Sequence, residues 1–136
     1  MDVDGVSRLP ERLGVRPGAR VALVDAPANF RESLRAQAPG AVLVSDEDSV
    51  DIIVCFSVYE TNLAQRLAEL KPRLAPSGVL WVAWPRKLPG EPRNYIEDHI
   101  RETGLAAGFV DTTVSGLDGA WSGIRFVIAQ SPRPVA

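Results

Sequence analysis

Residues Trp84-Pro85-Arg86-Lys87 set an indole, a stiff turn and two cations side by side, directly after the apolar run VLWVAW at 79–84. A guanidinium and an ammonium together can hold a phosphate or carboxylate, and an indole offers a flat apolar face. Asp118, Trp121 and Ser122 repeat this mixture of charge, aromatic surface and hydroxyl further along. Between the two groups, the stretch starting Asn94-Tyr95 has the form of a helix start, whose unpaired N–H groups attract anions. Brought to one edge, Trp84, Arg86, Lys87, Asn94, Asp118, Trp121 and Ser122 would take a small anionic ligand or an acidic segment of a partner protein. The plainer alternative is that Arg86 and Lys87 are solvated loop charges paired with Asp118 or Glu97, and that the tryptophans are core.

Other chemistry finds less support. Nucleophilic catalysis needs a base beside a Ser, Cys or Thr. The single histidine, His99, lies in a helical pattern and reads as exposed or half-packed. No Gly-x-Ser-x-Gly elbow occurs. The single cysteine, Cys55, falls inside DIIVCF and reads as a small buried thiol, which excludes an internal disulfide and a cysteine-based metal site. The acids of ETNLAQRLAE and YIEDHIRE are ordinary helix acids, and Glu97 with Arg101 is an i,i+4 pair. No residue is assigned a catalytic, cofactor-binding or metal-ligating role.

The bulk properties narrow the classes further. The chain has 136 residues, 46% hydrophobic and 24% charged, which suits one soluble domain with one core. Net charge is −2 and the signs are mixed along the chain, so nucleic acid and anionic lipid are excluded as expected partners. No apolar run approaches the roughly 20 residues that span a bilayer. The acidic start MDVDGVS is not a signal peptide, and the cytoplasm is the expected compartment. Residues 1–136 read as a single domain, with an arm at 1–18 and a tail at 131–136. Within the arm, Leu9 and Leu13 before Gly14 suggest a short helix with a glycine stop.

The elements that must position these residues alternate. A strand at Val21–Asp25 leads into a helix opened by NFRE, with Asn29 as cap, Glu32 reaching back, and Phe30 and Leu34 on the buried side. Val42–Val44 is a short strand, SDEDS a polar turn, and DIIVCF (51–56) a strand apolar throughout, as in a parallel sheet covered on both faces. Leu63, Leu67, Leu70 and Leu74 form one helical stripe, which Pro72 should bend or end early. PSG breaks the chain before the strand at 79–84, and Pro85, Pro89 and Pro92 stiffen the loop after it. A third helix opens at Asn94, buries Ile96, Ile100 and Ala107, and stops at Gly108. Strands at 110–117 and 121–129, joined by DGA, complete a hairpin. The expected fold is a three-layer, Rossmann-like α/β sandwich, mostly parallel with a C-terminal antiparallel hairpin. About six residues join the strand at Val42 to the one at Asp51, too few for a helical crossover. That second strand is therefore either a short edge or not parallel.

Parallel strands closed by an antiparallel hairpin resemble the S-adenosylmethionine-dependent methyltransferase fold, and ELKPRLAPSGVLWVAWP looks like its helix–LKPGG–strand segment. A closer similarity is to the bacterial family of small methyltransferase-like proteins designated domain of unknown function 3052. It is carried by LGVRPGARVALVDAPANF (13–30), GVLWVAWPRK (78–87) and WSGIRFV (121–127). The resemblance implies a fold and no established activity. It also implies where S-adenosylmethionine would sit, at a glycine-rich turn after the first strand. Here that turn reads Asp25-Ala26-Pro27-Ala28-Asn29: Pro27 has no N–H, and the alanines crowd a close approach. Asp46 could pass for the acid that holds a ribose, but it shares SDEDS with Glu47 and Asp48, and a solvated turn accounts for all three. No cofactor is expected. The crevice beside the first strand is expected to be narrowed by its own turn and by Phe30.

In a methyltransferase-like order, the strand opening at Trp121 lies beside VLWVAW, which would bring the candidate residues to the carboxyl edge. The expectation is a non-catalytic binding or scaffold domain on a degenerate methyltransferase-like fold. The alternative is a small-molecule-binding enzyme, an atypical S-adenosylmethionine-dependent methyltransferase included. A bare sheet edge at the hairpin also suggests a homodimer.

Overall fold

The structure, a computed structural model, describes residues 9–44, 49–56, 63–85, 95–117 and 121–129. Its elements in chain order are α1 (Leu9–Leu13), β1 (Arg20–Val24), α2 (Ala28–Gln37), β2 (Val42–Val44), β3 (Val50–Cys55), α3 (Leu63–Leu70), β4 (Leu74–Pro85), α4 (Tyr95–Ala106), β5 (Phe109–Gly116) and β6 (Trp121–Ile128). They form one six-stranded sheet in the order β2-β1-β3-β4-β6-β5. β2, β1, β3 and β4 run parallel, and β6 is antiparallel to both β4 and β5. The fold is thus a mixed α/β, Rossmann-like sandwich.

Each sheet face buries its own apolar layer. On one face Leu63, Leu67 and Leu70 of α3 and Ile100 of α4 pack over Ile53, Cys55, Leu80, Val82 and Trp84. On the other, Leu9 and Leu13 of α1 with Phe30 and Leu34 of α2 cover Val21, Ile52, Val54 and Trp81. Trp81 and Trp84 fall in opposite layers, as strand alternation requires.

Several local readings are corrected by the structure. α2 begins at Ala28 with Pro27 as its N-cap, so Asn29 lies inside the helix and no side chain caps it. Pro27 at φ −63 and ψ 149 already has the extended cap conformation, and its carbonyl accepts from the N–H groups of Phe30 and Arg31. Leu74 opens β4 instead of closing the helix. Pro72 lacks the N–H that the next helical turn needs, and the chain passes through a 3-10 turn at Lys71–Arg73 into the sheet. PSG does not end an element. It lies within the 12-residue β4, beside a register shift against β3 between Val50 and Ile52. The expected arm contributes α1 to the core: Leu9 and Leu13 are buried, and the Trp81 indole N–H donates to the Leu13 carbonyl at 3.2 Å. The short linkage after Val44 has a simple resolution. β2 is a three-residue edge strand and is parallel to β1.

Candidate functional site

The carboxyl edge is defined by the ends of β1, β3 and β4 and by the start of β6. Antiparallel pairing sets Trp84 opposite Ser122 and Pro85 opposite Trp121. Three of the candidate residues, distant in sequence, are therefore brought together. Arg86, Lys87, Asn94 and Asp118 lie outside the described residues. So do Asp46, Glu47 and Asp48 of the acidic turn.

Trp84 and Trp121 differ in what they can offer. Trp84 is 2% exposed, packed in the layer beneath α3 and α4, and presents no face to a ligand. Trp121 is partly exposed and faces the other layer. Its ring meets Phe56 edge-on at 4.9 Å between centroids and 88°. Phe56 in turn meets Phe30 at 4.8 Å and 72°. Both are the T-shaped geometry that the ring quadrupoles favour. The Phe56 N–H donates to the Val24 carbonyl, which holds this ring at the ends of β1 and β3.

That is the point where strand order reverses, with β2 on one side of β1 and β3 on the other. In open α/β sheets ligands enter the crevice at such a switch point. Here Phe30 and Phe56 are in contact on the α2 face, with Trp121 beside them. The turn after β1 adds Pro27, which donates no hydrogen bond, and Asp25, whose φ of 59 lies in the left-handed region. Asp25 pairs at 3.5 Å with Arg66 of α3. An adenosine-bearing cofactor would approach the backbone at this turn, and Pro27 can offer it no N–H donor.

Phe56 and Arg66 were not singled out in the sequence. Phe56 is one more apolar residue at the end of an apolar run, and only the strand order sets it between Phe30 and Trp121. Arg66 is an ordinary helix cation until Asp25 is seen across from it. His99 is exposed, Cys55 is buried, and Arg101 is held by Glu97 at 2.8 Å and by Asp111 at 3.1 Å. Hydrogen bonds to Glu97 and then Asp111 raise the Arg101 guanidinium above its ordinary value, so it stays charged and structural. Among the described residues no group of three or more His, Cys, Asp or Glu side chains could hold a metal ion. Nor is any described helix long and apolar enough to cross a membrane.

A family model described as "Protein of unknown function (DUF3052)" matches residues 11–130. The chain belongs to the DUF3052 family. No curated protein matches this DUF3052 chain in sequence. Solved structures do match in fold. An S-adenosylmethionine-dependent methyltransferase from Aquifex aeolicus aligns at 14% identity and a TM-score of 0.70, covering 91% of this chain and 89% of that one. A TehB-like methyltransferase from Corynebacterium glutamicum aligns at 15% identity and 0.56, covering 93% and 89%. A 1,6-didemethyltoxoflavin-N1-methyltransferase from Burkholderia thailandensis, solved with S-adenosylhomocysteine, aligns at 13% and 0.57, covering 93% and 77%. Identities this low establish a shared methyltransferase fold for the DUF3052 chain and nothing about its chemistry.

Proposed function

We propose that this DUF3052 protein is a non-catalytic, cytoplasmic binding domain on a methyltransferase-like fold. Its carboxyl edge takes a small anionic ligand, or the acidic segment of a partner. One observation supports this reading: Phe30, Phe56 and Trp121 pack together at the switch point, and Trp121 is partly exposed there. Arg86 and Lys87 follow directly in sequence after Pro85, which pairs with Trp121. An indole beside two cations suits an anion attached to a flat or apolar group. The second reading, an atypical S-adenosylmethionine-dependent methyltransferase, is supported by the fold similarity alone.

Two measurements separate these readings. A ligand at 100 times its dissociation constant adds about 2.7 kcal/mol of stability, a readily visible thermal shift. S-adenosylmethionine and S-adenosylhomocysteine should each give none, and a shift with either supports the methyltransferase reading. Inorganic phosphate and pyrophosphate should move the Trp121 indole N–H resonance and leave that of Trp81, bonded to the Leu13 carbonyl, in place. Changing Arg86 and Lys87 together to alanine should abolish that response. A response that survives the double change disproves the anion edge.

A further inference from the structure

The opposite edge of the sheet carries a separate cavity. A groove of about 750 Å³ opens at the amino ends of β1, β3 and β4, under the loop that follows α1. Its volume lies within the roughly 300–1,000 Å³ of small-molecule sites. We propose that this groove binds a small organic carboxylate with an apolar body.

One wall is apolar. Leu13 and Ile52 are buried, and Val79, half-buried, is paired with Ile52 on one side and Val127 on the other. The loop contributes Gly14 and Gly18, at φ +84 and +86, and a side-chain carbon at either would meet nothing within 4 Å. A ligand can therefore lie against bare backbone there.

The polar groups have spare capacity. Arg125 spends one N–H on the Thr112 hydroxyl at 2.9 Å, out of the five its guanidinium carries. Arg16, on the loop, has no side-chain partner among the described residues. Two guanidiniums beside an apolar wall, one exposed and one half-buried, match a carboxylate, which accepts a guanidinium's paired donors. Asp51 also lines the groove. Its Oδ2 accepts from the Arg20 N–H at 2.9 Å, and its other oxygen can take a hydroxyl or amine on the same ligand. Glu11, the remaining acid of the lining, is already engaged. This site shares no residue with the carboxyl edge and stands whether or not that edge binds an anion.

The test is a titration of the whole chain with acetate, hexanoate and octanoate, followed by amide NMR. The amides of Gly14, Gly18, Ile52 and Val79 should shift, and affinity should rise about fourfold for each methylene buried. Arg16→Ala and Arg125→Ala should each weaken octanoate about tenfold. Ser77→Trp, at an exposed lining position, should block the groove while the far-UV spectrum stays that of the parent. Three results would overturn the proposal: no shift at these amides, equal affinity for acetate and octanoate, or octanoate binding indifferent to Arg16→Ala and Ser77→Trp. Octanoate shifts confined to the Trp121 indole would also reject it, while leaving the carboxyl edge in play.

Discussion

A methyl group at Gly104 has nowhere to go. Gly104 is buried in α4, and a β-carbon there would overlap the Phe126 ring of β6. Two effects compete in Gly104→Ala. Alanine is the better helix former by about 1 kcal/mol, whereas overpacking a filled core costs about 1–3 kcal/mol. The obstacle is a buried ring, which itself packs on Phe109 at 5.9 Å and cannot swing into water. We expect Gly104→Ala to destabilise by about 1 kcal/mol or more, read from the urea midpoint at unchanged slope. An unchanged or raised midpoint would mean that the helix term wins. Little of this is legible in the sequence, where Gly104 is an isolated glycine in a helical pattern. The opposite faces of Trp81 and Trp84 are legible, because alternation along one strand is a local property. The Phe30–Phe56–Trp121 stack is not, because its members come from three elements whose order only the assembled sheet fixes.

Elements show where local rules hold and where they yield. The stop of α3 follows from Pro72, and the end of α4 from Gly108 at φ +96, both visible as residue types. The start of α2 was misread because two cap signals compete. Asn29 with Glu32 has the right residue types, but Pro27 already supplies the extended cap conformation two residues earlier. This bears on the cofactor turn. Changing Ala26 and Ala28 together to glycine restores backbone freedom there but leaves Phe30 against Phe56. That double variant should therefore show no thermal shift with S-adenosylmethionine, and it should lose some stability, since Ala28 begins a helix. A shift with S-adenosylmethionine would show that the turn, not the aromatic stack, is what limits the cofactor. Strand continuity was also hidden: Ala75-Pro76-Ser77-Gly78 reads as a break, yet β4 runs through it. A β-carbon at Gly78 would crowd the Val50 carbonyl at 3.0 Å, so glycine relieves a tight approach there.

At the scale of the molecule, the sheet has two unequal edges. β2 is three residues long, whereas β5 is eight and has Val110 and Val114 exposed, with Leu105 of α4 exposed nearby. A long apolar edge invites pairing, although the register shift between Asp111 and Thr113 interrupts its ladder. We expect self-association through β5, weakened by Val114→Lys and measured by sedimentation over a range of concentrations. A strictly monomeric parent at high concentration rejects it. The fold class was legible as a whole because alternation of buried strands and helices constrains it, while the strand order needed the assembled sheet. Two contacts bear on the order of events in folding. The Leu13 carbonyl finds its donor in Trp81, 68 residues on, and Arg12 reaches the Gly116 carbonyl, 104 residues on. α1 is thus fully seated only once β4 is in place. Before β4 is made, α1 lacks its contact with Trp81, and a five-residue helix has no stability of its own. Protection of the Gly14 and Val15 amides, both bonded to the Pro10 carbonyl, should therefore lag behind that of Ile53 and Val54 in pulse-labelled refolding. Simultaneous protection would place α1 in the nucleus, and the beginning of the chain would then wait on nothing but its own collapse.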